Sequence, residues 1–280
     1  VPHQVAIEEE AQMAAHGFRE RNNLGSHPLG DLIPIIERAT GIDVAVLAAG
    51  PDEHGLAARS PETGTTFIVV ATTGNPMRQR SSLGHELAHV EFEDWTPGRE
   101  LERRDPVEVR ADAFSRHLLL PQAAIHDVFG DRHTVAEADL SMLVQLFQVS
   151  PAIATIALHQ AGLVDASRKS EWLKMSTPQL AARHGWGDQY KAWQAESRQT
   201  RAPRRLLARA IEGYAEGVVS VQAIARLRGM PANDVEDELA ESNIMPRAQE
   251  TVRDDPQSLP QAPVVDLAFL DDLDDSNGTA

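Results

Sequence analysis

Apolar and polar positions alternate along this chain in two periods, and the periods change at definable places. Val5 to Arg21 reads as a helix, and Leu29 to Ala39 as a second one closed by Gly41. Val44 to Ala48 then reads as a strand. Gly55 to Arg59 and Thr65 to Ala71 supply two more strands, the last built on the β-branched run Phe67-Ile68-Val69-Val70. These three segments predict a small antiparallel sheet. From residue 76 to residue 165 the pattern is almost entirely helical, with breaks at Pro97, Pro121, Gly130 and Pro151. In the first of these helices Thr72-Thr73-Gly74-Asn75-Pro76 provides the turn and the start. Leu83, Leu87 and Val90 give it a buried side, and Thr96-Pro97-Gly98 ends it. The expected class is α+β: a small sheet and a set of helices, then a helical C-terminal unit.

Beyond residue 165 the character changes. Asp165 to Thr200 is polar and carries Trp172, Trp186 and Trp193, which suit packing anchors. Residues 203–245 form a separate helical unit: Ser220 caps Val221 to Arg228, Gly229 turns the chain, and Asn233 to Ser242 is a further helix. The spacing resembles a helix-turn-helix, but the second helix carries Asp234, Glu236, Asp237, Glu238 and Glu241 with no Arg or Lys. A helix that reads DNA needs cations near phosphate, so no direct DNA binding is expected. Residues 250–280 hold eight acids and one Arg, with Pro256, Pro260 and Pro263 among them. That composition predicts a disordered acidic tail. Within it Val264 to Leu273 mixes apolar and acidic residues and could dock on a partner or on the protein itself. The expected organisation is therefore a domain over 1–165, a connector over 166–202, the helical unit over 203–245 and the tail over 246–280.

The net charge of −16 opposes non-specific binding to nucleic acid. With no cysteine there is neither a disulfide framework nor a thiolate metal site, which suits a reducing compartment. No apolar run approaches the 18 residues of a membrane span, and Val1-Pro2-His3-Gln4 lacks a signal-peptide pattern, so a cytoplasmic location is expected.

The chemistry is concentrated in His85-Glu86-Leu87-Ala88-His89. Residues four apart on a helix are separated by about 40° around its axis, so the two imidazoles leave one face a turn apart. They can share a metal, and Glu86 between them can take a proton from water bound there. A third protein ligand is required, with the fourth position left to water. The metzincin extension is absent, since Phe92 and Trp95 stand where Gly and His would be needed. Glu91, Glu93 and Asp94 would have to fold back from the same helix. Glu108 and Asp112, four apart on the next helix, are better placed. Glu108 can reach the metal, and Asp112 can accept the outer N–H of a ligating His and fix its tautomer. Among the other histidines, His117 lies about 180° round its helix from Glu108 and should not share the metal. His126 and His133 suit the surface, and His159 suits packing in an apolar helix.

Two stretches carry a family resemblance. Leu83-Gly84-His85-Glu86-Leu87-Ala88-His89 is one, and Glu108-Val109-Arg110-Ala111-Asp112-Ala113-Phe114-Ser115-Arg116-His117-Leu118-Leu119-Leu120-Pro121 is the other. They resemble the ImmA/IrrE metallopeptidases of bacteria and phages, whose second motif runs E-x-x-A-N-x-F-A-x-x-L-L-M-P. Val149-Ser150-Pro151 followed by an apolar helix is a weaker third match, and together the three cover residues 30–165. Asp112 stands where Asn is common, Ser115 where Ala is common and Leu120 where Met is common. The resemblance implies a zincin-like domain and cleavage of a helix-turn-helix transcriptional repressor.

The combined expectation is a zinc metallo-endopeptidase: His85, His89 and Glu108 on Zn²⁺, Glu86 as general base, Asp112 behind a histidine, and a protein substrate. The first candidate edge for adding a substrate strand is Thr65 to Ala71. The rival is a non-catalytic, zinc-containing regulator that acts by binding a protein through the 203–245 unit and the tail.

Overall fold

The computed structural model of the chain describes residues 2–50, 55–95 and 105–247. Residues Thr96-Pro97-Gly98 and the acidic segment 248–280 lie outside the described residues, and the helix expected to run to Thr96 ends earlier, at Glu91, where Glu93 turns the chain with a left-handed φ of 53°.

The first helix, α1, spans Pro2–Arg21 and buries Ala11, Ala15 and Phe18, a stripe at helical spacing. Asp31 caps α2 (Leu32–Thr40) by accepting from the Ile33 N–H, and Gly41 closes it in the left-handed conformation at φ 69°. Three strands follow: β1 (Asp43–Leu47), β2 (Gly55–Arg59) and β3 (Thr66–Ala71). Their spatial order is β1-β3-β2. The turn over residues 60–65 makes β2 and β3 an antiparallel hairpin, with Leu56 opposite Val69 and Ala58 opposite Phe67. The strand β1 pairs with the far side of β3 in parallel, Val44 beside Ile68 and Val46 beside Val70.

Two expectations are corrected here. The sheet is mixed, not antiparallel, because the link after β1 carries the chain past one strand position before the hairpin begins. Gly55 and Leu47 thus both lie at the Val70–Ala71 end of β3. And β3 is the central strand, with partners on both sides, so it has no edge to offer a substrate; β1 and β2 are the edges.

Alternation sends Val44, Val46, Ile68 and Val70 to one face, where they are buried. Against that face lies α3 (Pro76–Glu91), which packs in turn against α4 (Pro106–Leu119), and α4 packs against α1. Behind them come α5 (Gln122–Phe129), α6 (Glu137–Phe147) and α7 (Pro151–Gln160). The stretch expected as a connector contributes α8 (Ala166–Trp172), α9 (Thr177–Arg183) and α10 (Gly187–Ser197). Trp172, Leu180, Trp186 and Tyr190 from these helices are buried in the same apolar core as Phe18, Leu87 and Phe114. Trp186 also donates its indole N–H to the Ser141 hydroxyl at 2.9 Å.

The helical unit is α11 (Arg204–Ala215), α12 (Val221–Arg228) and α13 (Ala232–Glu241), with a small apolar core of its own around Tyr214, Ile224, Val235 and Leu239. Gly229 turns α12 into the α13 approach at φ 63°. The unit is tied to the sheet at its start: Val46 and Arg201 exchange backbone hydrogen bonds, and Arg205 pairs with Asp43 at 2.8 Å. No single helix among the described residues is long and apolar enough to cross a membrane.

Candidate metal centre

Asn75 begins α3 by accepting from the Arg78 N–H, with Pro76 in the first turn where no N–H is needed. Asp105 and Pro106 repeat that device for α4, Asp105 accepting from the Val107 N–H. The two helices meet at Gly84. A Cβ there would stand 2.7 Å from the Ser115 hydroxyl oxygen and 3.3 Å from the Ser115 Cα, so any larger residue would have to turn that hydroxyl and push the helices slightly apart. Ser115, at a position where the family motif favours Ala, donates its hydroxyl to the Ser81 carbonyl at 2.9 Å and closes the contact.

That close crossing brings the expected residues together. His85 Nε2 lies 3.1 Å from His89 Nε2 and 3.1 Å from one Glu108 carboxylate oxygen; His89 Nε2 lies 3.5 Å from the other. Among the described residues these three side chains form the one cluster of His, Asp and Glu arranged to hold a metal ion. A tetrahedral ion with arms of roughly 2.0–2.1 Å separates its donor atoms by about 3.3–3.4 Å, so the spacing fits.

The outer ring nitrogens explain the orientation. His85 Nδ1 is 2.9 Å from Asp112, and His89 Nδ1 is 3.4 Å from Asp94. A carboxylate on Nδ1 favours a proton there and leaves the Nε2 lone pair facing inward. Two such lone pairs and a carboxylate then face one another, and a cation is what satisfies all three. Without one, the same crowding acts on the imidazoles. Burial opposes charge on His85, but hydrogen bonds to Asp112 and Glu108 overcome it and push its pKa up to about 10. His89 is driven the other way, by burial and by the charge on His85.

Glu86 points to the sheet side. It is 8 % exposed, and burial pushes its carboxyl up to about 7 against the opposing pull of His85 and of the Ala57 N–H, which donates to it. Its carboxylate lies where a Gly55 side chain would be, since a Cβ on Gly55 would meet its Oε1 at 2.5 Å. Both Gly55 and Ala57 belong to the edge strand β2.

The other carboxylates at the end of α3 and just beyond it do not converge on the cluster. Glu91 pairs with Arg21, Glu93 is exposed, and Asp94 supports His89 from outside. Asp94 reaches that place because Glu93 adopts a left-handed φ of 53°, which folds the chain back so that the Asp94 N–H meets the His89 carbonyl at 2.9 Å. Arg110 of α4 holds the other Asp94 oxygen at 2.7 Å, lies 4.0 Å over the Phe92 ring and reaches Glu10 of α1 at 2.9 Å. Sequence reasoning missed Gly55, Asp94 and Arg110. The visible signals were an Asp five residues past His89 and an Arg two residues past Glu108.

The remaining histidines lie elsewhere. His117 is buried and bonds Glu8 of α1 at 2.9 Å, away from the cluster; with Arg116, it holds the Glu8 carboxyl down at about 2. His159 pairs its Nδ1 with the Val164 carbonyl, and His126 and His133 are exposed.

Residues 39–159 match the model of a peptidase family described as the IrrE N-terminal-like domain, a span that contains the sheet, the crossing of α3 and α4, and every residue of the cluster. No curated protein matches the chain.

Proposed function

With residues 39–159 belonging to the ImmA/IrrE family and so carrying a metallopeptidase-type function, we propose that this chain is a zinc-dependent endopeptidase that cleaves a helix-turn-helix transcriptional repressor. The observation that carries the reading is Glu86: a buried carboxylate held by β2 beside three converging ligands. A site that only held the fold together would gain nothing from it, which speaks against the non-catalytic reading.

His85, His89 and Glu108 would hold the ion. A divalent zinc in that set supplies Lewis acidity and makes water acidic near neutral pH. Glu86 accepts the proton of the attacking water and passes it to the leaving amine. Burial raises its carboxyl pKa in the metal-free site, and a bound cation would pull it back toward the carboxylate that accepts the proton. Asp112 and Asp94 keep the two imidazoles in one tautomer and orientation. The substrate backbone adds along the edge of β2 that no other described strand pairs, the strand that touches Glu86.

The repressor as substrate follows from the family resemblance. The five acids of α13 are all exposed, so the helical unit acts through protein contact and not on DNA. Incubation of the protein and Zn²⁺ with a small repressor encoded beside it should yield one discrete cut by mass spectrometry, abolished by a chelator. An uncut repressor, in a preparation that retains its metal, would overturn the substrate assignment.

A further inference from the structure

We propose that the C-terminal segment Val264–Leu273 docks on the outer apolar face of the sheet, over the groove beside β2. The inference does not depend on the catalytic reading.

Among the described residues nothing covers the β2 side of this face. Alternation turns Leu47, Leu56, Phe67 and Val69 away from α3. Leu56 is 56 % exposed, Leu47 49 % and Phe67 37 %. Between Leu47, Leu56 and Val69 opens a groove of about 510 Å³, and among the described residues its lining, including Ala49, Gly55 and Ala71, contains no polar side chain. Isolated exposed leucines are ordinary, but a contiguous apolar groove on a sheet is a surface with a partner. Helix α11 lies against β1 and leaves the β2 side open.

The chain itself holds a fitting occupant. Six large apolar residues, Val264, Val265, Leu267, Phe269, Leu270 and Leu273, fall within ten positions beyond the described region. By contrast, residues 51–54 and 96–104 are largely polar or charged. The reach is sufficient. Arg247 donates its backbone N–H to the Ala215 carbonyl at the end of α11, and the opposite end of that helix pairs with β1 through Arg205 and Asp43. Twelve helical residues span about 18 Å. Sixteen residues separate Arg247 from Val264; they extend to roughly 55–60 Å and as a flexible coil average roughly 20–25 Å. Tethering at that length gives an effective concentration on the order of millimolar, so weak apolar contact is enough.

Docked there, the segment covers the outer side of the strand whose Gly55 rests on Glu86.

The cysteine-free chain makes a direct test possible. A Leu56→Cys substitution in the full chain places a single thiol in the groove, and Val218→Cys, at a site 80 % exposed on the helical unit, serves as reference. Adding Leu267→Asp, Phe269→Asp and Leu270→Asp should speed modification of the groove thiol ~10-fold, the protection that a contact with a Kd of about 0.1 mM gives at a millimolar tether. The reference thiol should not change, and a free peptide of residues 264–273 should restore protection. Hydrogen exchange over residues 45–71 in the cysteine-free chain, with and without the three Asp substitutions, supplies a readout that leaves Leu56 intact. Equal labelling and equal exchange with both tails would overturn the proposal. So would protection that fades on dilution alongside a dimer in sedimentation, which would assign the groove to a second copy of the chain.

Discussion

Two helix pairs in this molecule use similar parts to different ends. The pair α3 and α4 crosses at Gly84 so closely that a Cβ would have to displace Ser115, and beside the crossing stand polar groups: Glu86, His85, His89 and Glu108. The pair α12 and α13 packs Ile224, Val235 and Leu239 around a left-handed Gly229 and keeps every acid of α13 outside. There the charges meet only at the rim, as where Arg228 pairs with Glu238. Both pairs are stable packings, but one alone brings unsatisfied lone pairs to a common point. Burying polar groups is costly unless they are paired, and that cost is what makes the first pair a site.

The largest contrast is expected from Glu108→Ala. It removes the one member of the candidate triad that comes from a second helix, and metal content after dialysis should fall close to zero. Glu238→Ala in the other pair, like Glu93→Ala at the end of α3, should leave the metal in place. Full metal in Glu108→Ala with loss in Glu93→Ala would move the third ligand and break the comparison.

A smaller effect is expected one layer out. Asp112→Asn and Asp94→Asn each leave the three ligands intact but weaken the hold on Nδ1, and such partners are typically worth 10- to 100-fold in metal affinity. The two should differ in size, because Asp112 is 2.9 Å from its imidazole and Asp94 is 3.4 Å from the other. Competition with a chromogenic chelator measures both. No change in either variant would show that packing alone orients the rings.

The glycines sharpen the comparison further. Gly84→Ala drives a Cβ into Ser115 backbone and side chain, an overpacking that costs ~1–3 kcal/mol. Gly213→Ala in α11 meets only the Val219 side chain, in a loop that can give way. The first should lower both the thermal midpoint and metal retention. The second should alter hydrogen exchange in the 204–247 unit and leave metal retention untouched. Equal loss of metal in both would mean that the two cores behave as one.

How much of this was legible in the chain follows from distance along it. His85, Glu86 and His89 share one helix, so a period of 3.6 was enough to place them. Glu108 and Asp112 required only that the next helix pack against the first. The breaks at Pro121, Gly130 and Pro151, the three strands and the turns at Gly41 and Gly229 were legible from local chemistry as well, whereas the motif helix ends at Glu91 and not at the expected Thr96-Pro97-Gly98. Asp94 was not, because its place depends on Glu93 taking a conformation that side chains rarely adopt. The parallel pairing of β1 with β3 was not legible either. It depends on which side of a hairpin a third strand joins, and apolar alternation is the same for both choices. The role of β2 stayed hidden for a related reason: Gly55 and Ala57 carry no chemistry of their own and matter only because Glu86 rests on them.

The central claim is that the buried carboxylate beside the ligands does chemistry rather than support. Glu86→Gln tests it most directly, because the amide keeps the shape and removes the base. Metal content and cleavage of the same repressor should be measured on one preparation. The account predicts unchanged metal and a cleavage rate lower by about 10²–10⁴-fold, the usual worth of a general base. Unchanged metal with unchanged cleavage would contradict it.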